Sequence, residues 1–224
     1  YEILSHARAK KIEVAITSNS TLITEEIVKK IKELKTFNIH LSLDGVGEIH
    51  DLFRNKKGVF DHVVNTIKLF KQYGIPFGIT TAVSKRNFGD LDNLANFLRE
   101  QQIASWEVYW AIPLGCMSKM ETLSPRELMV FAEKIHRFRE QLTDTKIFVG
   151  DNLGYFDALK TQEDWHGCRA GLSICAIDSE GNVKGCPIHP NAFIEGNLRQ
   201  RSLKEIWNDK NSFGYNRNHK TKLK

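Results

Sequence analysis

Residues 39–45 read Ile39-His40-Leu41-Ser42-Leu43-Asp44-Gly45, and this stretch decides the fold. Ile39, Leu41 and Leu43 fall on one side of an extended chain, and His40, Ser42 and Asp44 fall on the other. A period of two marks a strand with unlike faces. Helical patterns flank it on both sides. Before it, Thr24 is placed to cap a helix whose first turn carries Glu25 and Glu26, where negative charge suits the helix dipole. Ile27, Ile31 and Leu34 are the expected apolar face of that helix. After it, Phe60, Val63, Val64 and Ile67 mark the next helix, with Gly74 as its stop and Pro76 just beyond.

The alternation continues outward. Ile12, Val14 and Ile16 form an earlier strand pattern, and Phe77 to Val83 a later one. Leu91, Leu94, Phe97 and Leu98 mark a helix, and Trp106 to Ala111 a fourth strand. Ser124-Pro125-Arg126-Glu127 is a capping box with proline at the first helical position, opening a helix through about Leu142. Repeated βα units imply a parallel sheet with right-handed crossovers. A TIM-type barrel needs about eight such units, so four predict part of a barrel. Ligands in such sheets sit at the carboxyl ends of the strands. Those ends carry Thr17-Ser18-Asn19-Ser20, Ser42-Leu43-Asp44-Gly45, Thr81-Ala82-Val83-Ser84 and Ala111-Ile112-Pro113-Leu114-Gly115.

Past about Ile147 the pattern changes, with shorter strands, denser Gly and Pro, and clustered cysteines. A boundary between Leu142 and Trp165 divides the chain into a barrel part, residues 1–145, and a cysteine-rich part, residues 146–224. The second part contains Gly167-Cys168-Arg169-Ala170-Gly171, then Gly181-Asn182-Val183-Lys184-Gly185-Cys186-Pro187, then Ser202-Leu203-Lys204-Glu205-Ile206-Trp207. Cys168 and Cys186 flank a hairpin pattern, and a small amphipathic helix follows. Soft thiolates suggest zinc or an iron–sulfur cluster.

With 224 residues, 41% hydrophobic and 26% charged, the chain has an ordinary globular profile. Its net charge of +5 is interleaved except in the tail, where Arg217, Lys220, Lys222 and Lys224 cluster. Without interleaved aromatics that tail reads as solvated, so no nucleic-acid partner is expected. No apolar run reaches the length of a membrane helix, and the N-terminal residues lack the apolar core of a signal peptide, so no membrane partner is expected. Four cysteines in that setting read as reduced thiols of a cytoplasmic protein.

Several residues have both a chemical and a structural reading. Asn19, Ser42 and Asp44 can serve a bound hydroxyl, or can be turn and lumen residues of the fold. Arg54 can grip a carboxylate bidentately, or lie on the surface. Cys175 reads as a packed hairpin residue and Cys116 as a small packed or surface thiol. Cys168, Cys175, Cys186 and His166 or His189 could form a zinc set, although the spacing fits no zinc-finger pattern.

The segment Ile16-Thr17-Ser18-Asn19-Ser20 resembles the Thr-Asn-Gly strand end of radical S-adenosylmethionine (radical SAM) enzymes, with Ser20 where that family has glycine. Leu41-Ser42-Leu43-Asp44-Gly45, followed by His50-Asp51 and Arg54, resembles the family's next strand and loop. Gly58-Val59-Phe60 through Tyr73-Gly74-Ile75-Pro76 fits as well. The run from Gly167 to Trp207 resembles the start of SPASM, a cysteine-rich iron–sulfur extension of these enzymes.

The resemblance implies an internal piece of such an enzyme: about strands three to six of a partial (β/α)6 barrel, then the first part of SPASM. It implies S-adenosyl-L-methionine and a 4Fe–4S cluster as cofactors, with a 5′-deoxyadenosyl radical abstracting hydrogen from a peptide or protein substrate. An electron donor such as a flavodoxin or ferredoxin is implied as partner. By position, Ser18 and Asn19 line the cofactor site, Ser42 and Asp44 lie near the ribose and methionine part, and Arg54 pairs with the methionine carboxylate. Cys168 and Cys186 are implied ligands of an auxiliary 4Fe–4S cluster. The family's Cys-x3-Cys-x2-Cys loop, its Gly-Gly-Glu segment and the last SPASM cysteines do not occur in these 224 residues, so the segment by itself is expected to be inactive. A cofactor-free peptide-binding or scaffold module, and a TIM-type lyase using Asp44 or Glu107 as base, are the alternatives.

Overall fold

The alternating stretch forms β2 (Asn38–Ser42), whose Ile39 and Leu41 are buried while His40 and Ser42 are half-buried on the opposite face. The computed structural model describes residues 1–34, 38–113, 117, 119–150 and 167–218. Cys116, His166, the Leu114-Gly115 strand end and the tail lysines lie outside the described residues. The chain divides into two units, Tyr1–Glu163 and Asp164–Lys224.

The first unit is a parallel sheet in the order β1-β2-β3-β4-β5, formed by β1 (Ala15–Ser18), β2, β3 (Gly78–Val83), β4 (Ser105–Trp110) and β5 (Lys146–Val149). Helices α2 (Glu25–Leu34), α3 (Glu48–Phe53), α4 (Val59–Gln72), α5 (Leu91–Glu100) and α6 (Pro125–Gln141) lie in the connections. Leu41, Leu43, Ile79, Val83, Trp106 and Val108 are fully buried together with Val63, Ile67 and Phe70 of α4, Leu91, Leu94 and Leu98 of α5, and Phe131 and Ile135 of α6. Each such side chain contributes roughly 1.5–3 kcal/mol of burial. Trp106 meets its polar requirement inside this core. Its indole N–H donates to Thr81 Oγ1 at 2.8 Å, and the Thr81 hydroxyl donates to the Leu43 carbonyl at 2.7 Å.

The helix ends follow the sequence signals. Gly74 takes φ +62° and the Ile75 N–H returns to the Phe70 carbonyl, closing α4. Ser124 and Glu127 form the capping box of α6. The Ile27 N–H lies 3.4 Å from Thr24 Oγ1.

Three details depart from the sequence reading. Residues 2–9 form a helix, α1, and Lys11 at φ 59° ends it with the Ile12 N–H returning to the Ala7 carbonyl. That turn delays β1 to Ala15 and leaves Ile12 exposed. On α2 the buried face is Val28, Ile31 and Leu34, while Ile27 is 37% exposed. Finally, β5 pairs with β4 in register Trp106↔Ile147, adding a fifth strand to the four expected.

The second unit contains an antiparallel sheet of β6 (Ala176–Ile177), β7 (Asn182–Lys184) and β8 (Gly196–Asn197), then α7 (Leu203–Asn208) and α8 (Gly214–Arg217). Val183, Ile206 and Phe213 are its buried core, with Cys175 and Trp207 packed against them. Arg217 locks α8 down. Its guanidinium lies 4.7 Å from the Trp207 ring and 4.6 Å from the Phe213 ring, and it donates to the carbonyls of Gly171 and Trp207. Gly171, at φ +72°, is required here, because a Cβ on it would stand 2.4 Å from Phe213 Cβ.

Candidate active site at the strand ends

At the carboxyl end of β2 the chain turns into a buried charged network. Asp44 is 1% exposed. Its Oδ1 accepts from the Ala82 N–H at 2.9 Å, tying the end of β2 to β3. Its Oδ2 lies 2.6 Å from Arg54 Nε. Burial raises the Asp44 carboxyl above its ordinary range, and the Arg54 charge and the Ala82 bond oppose that rise. His50, on α3, is fully buried and accepts the Asp44 N–H at Nδ1, 3.0 Å away. Burial first, and the Arg54 charge second, depress His50 to about 4. It is therefore neutral at pH 7, with its hydrogen on Nε2. Asn87 closes the network, donating to the carbonyls of Asp44 and Ala82 and accepting the Ser84 N–H through Oδ1.

The loop holding Arg54 is pinned from its other side. Asp51 accepts the N–H of Gly58 at 2.5 Å and of Phe60 at 2.8 Å, fixing the turn from α3 into α4. Those bonds hold its carboxyl below the ordinary range. Arg54 commits Nε to Asp44 and keeps a side chain 31% exposed. Its terminal nitrogens are the part of the fork available to an anion.

The sequence-predicted residues thus separate. Asp44 is not an open ligand group, because both its oxygens face protein partners, and its place is behind Arg54. Ser42 lies half-buried on the open sheet face beside Thr80. Ser18 pairs in register with Leu41, which puts it on the apolar-face side of β1 at the strand end, where its Oγ accepts the Ser20 N–H at 3.1 Å. Asn19 is exposed, and its Oδ1 accepts from the backbone and hydroxyl of Thr21. Ser20 is fully buried in the left-handed region at φ 66°, the geometry that favours glycine.

Sequence reasoning named Glu107 as a possible base but missed the cluster it joins on the sheet face opposite the apolar stripe. His40 (β2), Thr80 (β3), and Glu107 and Tyr109 (β4) meet there, with His40 Nδ1 3.0 Å from Thr80 Oγ1 and 3.4 Å from Glu107 Oε2. The Tyr109 hydroxyl donates to Glu107 Oε1. The signal was present as polar residues at alternating positions of three adjacent strands, but strand alignment was needed to bring them together.

In the second unit, Cys168 is exposed and Cys186 half-buried. Both approach Tyr215. Burial is the main cause that raises the Tyr215 hydroxyl, and Glu195 and the two thiols add to it. Asn216 donates to the carbonyls of Cys168 and Ala170, clamping the first cysteine loop. Gly185 precedes Cys186 and has no room for a side chain, since a Cβ would stand 1.9 Å from the Tyr215 hydroxyl oxygen. Cys175 packs on the core instead. Among the described residues no group of three or more His, Cys, Asp and Glu side chains is set to hold a metal ion. The Cys168, Cys175, Cys186 and His189 zinc set is therefore not assembled among the described residues. Nor is any helix among the described residues long and apolar enough to cross a membrane.

Comparison with known proteins matches these two regions separately. The Radical SAM superfamily pattern covers residues 1–98, and that of SPASM, an iron–sulfur cluster-binding domain, covers residues 168–223. An AdoMet-dependent heme synthase of Methanosarcina barkeri is 26% identical over 95% of this chain and 65% of its own length. An Fe-coproporphyrin III synthase of the same organism is 30% identical over 93% of this chain and 57% of its own. The subtilosin biosynthesis protein AlbA of Bacillus subtilis is 26% identical over 92% of this chain and 45% of its own. The chain thus spans about half to two thirds of these relatives. The fold also matches SuiB of Streptococcus suis, with a TM-score of 0.73 at 20% identity over 95% of this chain and 53% of that one. It matches anSMEcpe with bound AdoMet, with a TM-score of 0.67 at 22% identity over 89% of this chain and 57% of that one. Residues 1–98 thus form part of a radical SAM superfamily domain, and residues 168–223, later in the sequence, match the SPASM iron–sulfur cluster-binding domain.

Proposed function

We propose that this chain is the substrate-facing barrel portion and first SPASM portion of a radical SAM enzyme that modifies a peptide or protein. The observation that carries this reading is the order of the two family matches, 1–98 then 168–223, on a parallel sheet with Ser42 at the carboxyl end of β2 and Arg54 at the end of the helix that follows it. The residues present fit the cofactor. Arg54, braced by Asp44, would give its terminal nitrogens to the methionine carboxylate, and Ser42 would offer a hydroxyl at the carboxyl end of β2. Ser18 and Asn19 shape the neighbouring turn of β1. The chemistry that S-adenosylmethionine would supply, once bound, is hydrogen abstraction from the substrate. Cys168 and Cys186 would each give a thiolate to an auxiliary cluster. The enzyme works in the cytoplasm with a flavodoxin or ferredoxin as electron donor.

The peptide assignment draws on relatives named as a cysteine-type anaerobic sulfatase-maturating enzyme, AlbA and mycofactocin maturase MftC, and on SuiB, solved with its precursor peptide. A tetrapyrrole substrate is the second reading, favoured by the heme and coproporphyrin synthases named above. Mass spectrometry of the full reading frame, anaerobically reconstituted and reduced, separates them. A candidate peptide encoded beside the gene should lose hydrogen in an S-adenosylmethionine-dependent way. An unchanged peptide together with a modified iron-coproporphyrin would reject the peptide reading.

A further inference from the structure

The geometry points to a proton-accepting dyad on the open sheet face, with His40 Nε2 as acceptor and Glu107 and Thr80 as its positioning residues. Its catalytic use rests on the function proposed above, but the tautomer of its neutral ring follows from hydrogen-bond logic alone. His40 Nδ1 faces two oxygens, Thr80 Oγ1 at 3.0 Å and Glu107 Oε2 at 3.4 Å. The single hydroxyl hydrogen of Thr80 is directed at Glu107 Oε2, 3.4 Å away. The threonine oxygen therefore meets His40 with a lone pair, and a carboxylate has only lone pairs to offer. With acceptors on both sides, Nδ1 carries the hydrogen, and in the neutral ring Nε2 then keeps a bare lone pair.

The carboxylate is itself held in place. The Tyr109 hydroxyl donates to Glu107 Oε1, so Oε2 is the oxygen left for Thr80 and His40. On the neighbouring strands the register places Thr17 of β1 and Gly78 of β3, neither of them titratable, beside His40. Glu107 and Tyr109 are accordingly the titratable groups aligned with it. Gly78 also makes room for the imidazole, since a Cβ there would stand 3.0 Å from His40 Cε1. A carboxylate behind an imidazole fixes its orientation and stabilises the imidazolium once a proton arrives.

The step is a plain proton transfer. A substrate N–H, O–H or activated C–H gives its proton to His40 Nε2, and the electron pair stays on the substrate atom. The positive charge created on the ring is balanced by Glu107. The ligand class is thus a substrate with a hydrogen-bond donor aimed at the sheet face. General bases of this kind contribute roughly 10²–10⁴-fold to a rate.

Long-range nitrogen-15 correlation spectra near pH 8 read the tautomer directly. Wild-type His40, assigned by its loss in His40→Gln, should be the Nδ1–H form. In Glu107→Gln with Thr80→Val, where a side-chain amide replaces the carboxylate, the Nε2–H form should gain population, and Glu107→Asp should restore Nδ1–H. An Nε2–H tautomer in the wild type, or no change in the double variant, overturns the dyad. In the cluster-loaded full reading frame, His40→Gln should slow substrate turnover by about 100-fold, and wild-type turnover in that variant also overturns it. Failure of the wild-type enzyme to cleave S-adenosylmethionine would instead reject the proposed function, with the dyad still judged by the tautomer.

Discussion

Arg54→Met removes the partner of a carboxylate that is 1% exposed while keeping most of the side-chain stem. Stripping one member from a buried ion pair costs about 3–5 kcal/mol, because the remaining charge is left in a poor solvent. Arg54 is itself 31% exposed, so water already screens part of the attraction, and the Ala82 N–H stays bonded to Asp44 Oδ1. A loss of about 2–3 kcal/mol at pH 7 is expected, or about 5–10 °C in Tm at this size. The pH dependence is the sharper readout. Burial already raises Asp44, and Arg54 is the largest influence opposing it. Without Arg54 the folded protein holds a proton that the unfolded chain releases, so stability falls as pH rises from the ordinary carboxylate range toward the raised folded value. His50 acts in the opposite direction. Depressed to about 4 by burial and then by Arg54, it loses stability as pH falls from 6.5 toward 4, because only the unfolded form takes up the proton. Removing Arg54 strengthens the first effect and weakens the second, so the stability maximum moves to lower pH. Urea unfolding from pH 4 to 8 measures it, and Asp44→Asn with Arg54→Met should recover over about 1 kcal/mol at pH 7. A single variant within about 1 kcal/mol of wild type at pH 7, with an unshifted maximum, would refute the reasoning.

Ser20→Gly relieves a left-handed residue at φ 66° and removes a buried hydroxyl without a partner. The gain is about 1–2 kcal/mol from strain, less roughly 0.5–1 for glycine's unfolded freedom, so Tm should rise by about 2–4 °C, and a fall would show that the turn needs the serine. Gly185→Ala must displace Tyr215, whose hydroxyl oxygen occupies the Cβ position at 1.9 Å. Tyrosine fluorescence and proteolysis should report a loosened second unit, with wild-type behaviour in both counting against the packing described. Replacing Cys168 or Cys186 by Ala in the full reading frame should lower iron per chain, while Cys175→Ala should leave iron nearly unchanged and cost stability through lost packing on Val183, Ile206 and Phe213. Equal iron loss in all three would reject the division of roles.

Much of the barrel part was legible because its signals are local. The alternation in Ile39–Leu43, the Gly74 stop and the Ser124–Glu127 box each act within one turn or one strand. β5 was not legible, since four residues with an exposed Phe148 resemble a loop until they pair with β4. The face of α2 turned from Ile27 to Val28 because packing chose between two adjacent apolar residues. The same limit applies at the site. Asp44 and Arg54 lie ten positions apart, and no spacing rule reveals that one is buried behind the other. His40, Thr80 and Glu107 become neighbours only through the register Ser42↔Thr80 and Thr80↔Glu107.

The most direct test of the central claim is 5′-deoxyadenosine formation from S-adenosylmethionine by the anaerobically reconstituted, reduced protein in its full reading frame. The account predicts 5′-deoxyadenosine from that protein, at least about tenfold less from Arg54→Met at subsaturating S-adenosylmethionine as a carboxylate contact is lost, and none from the 224-residue segment, which has no Cys-x3-Cys-x2-Cys loop. Cluster-loaded full-length protein that binds no S-adenosylmethionine and forms no 5′-deoxyadenosine, or full activity in Arg54→Met, would contradict it.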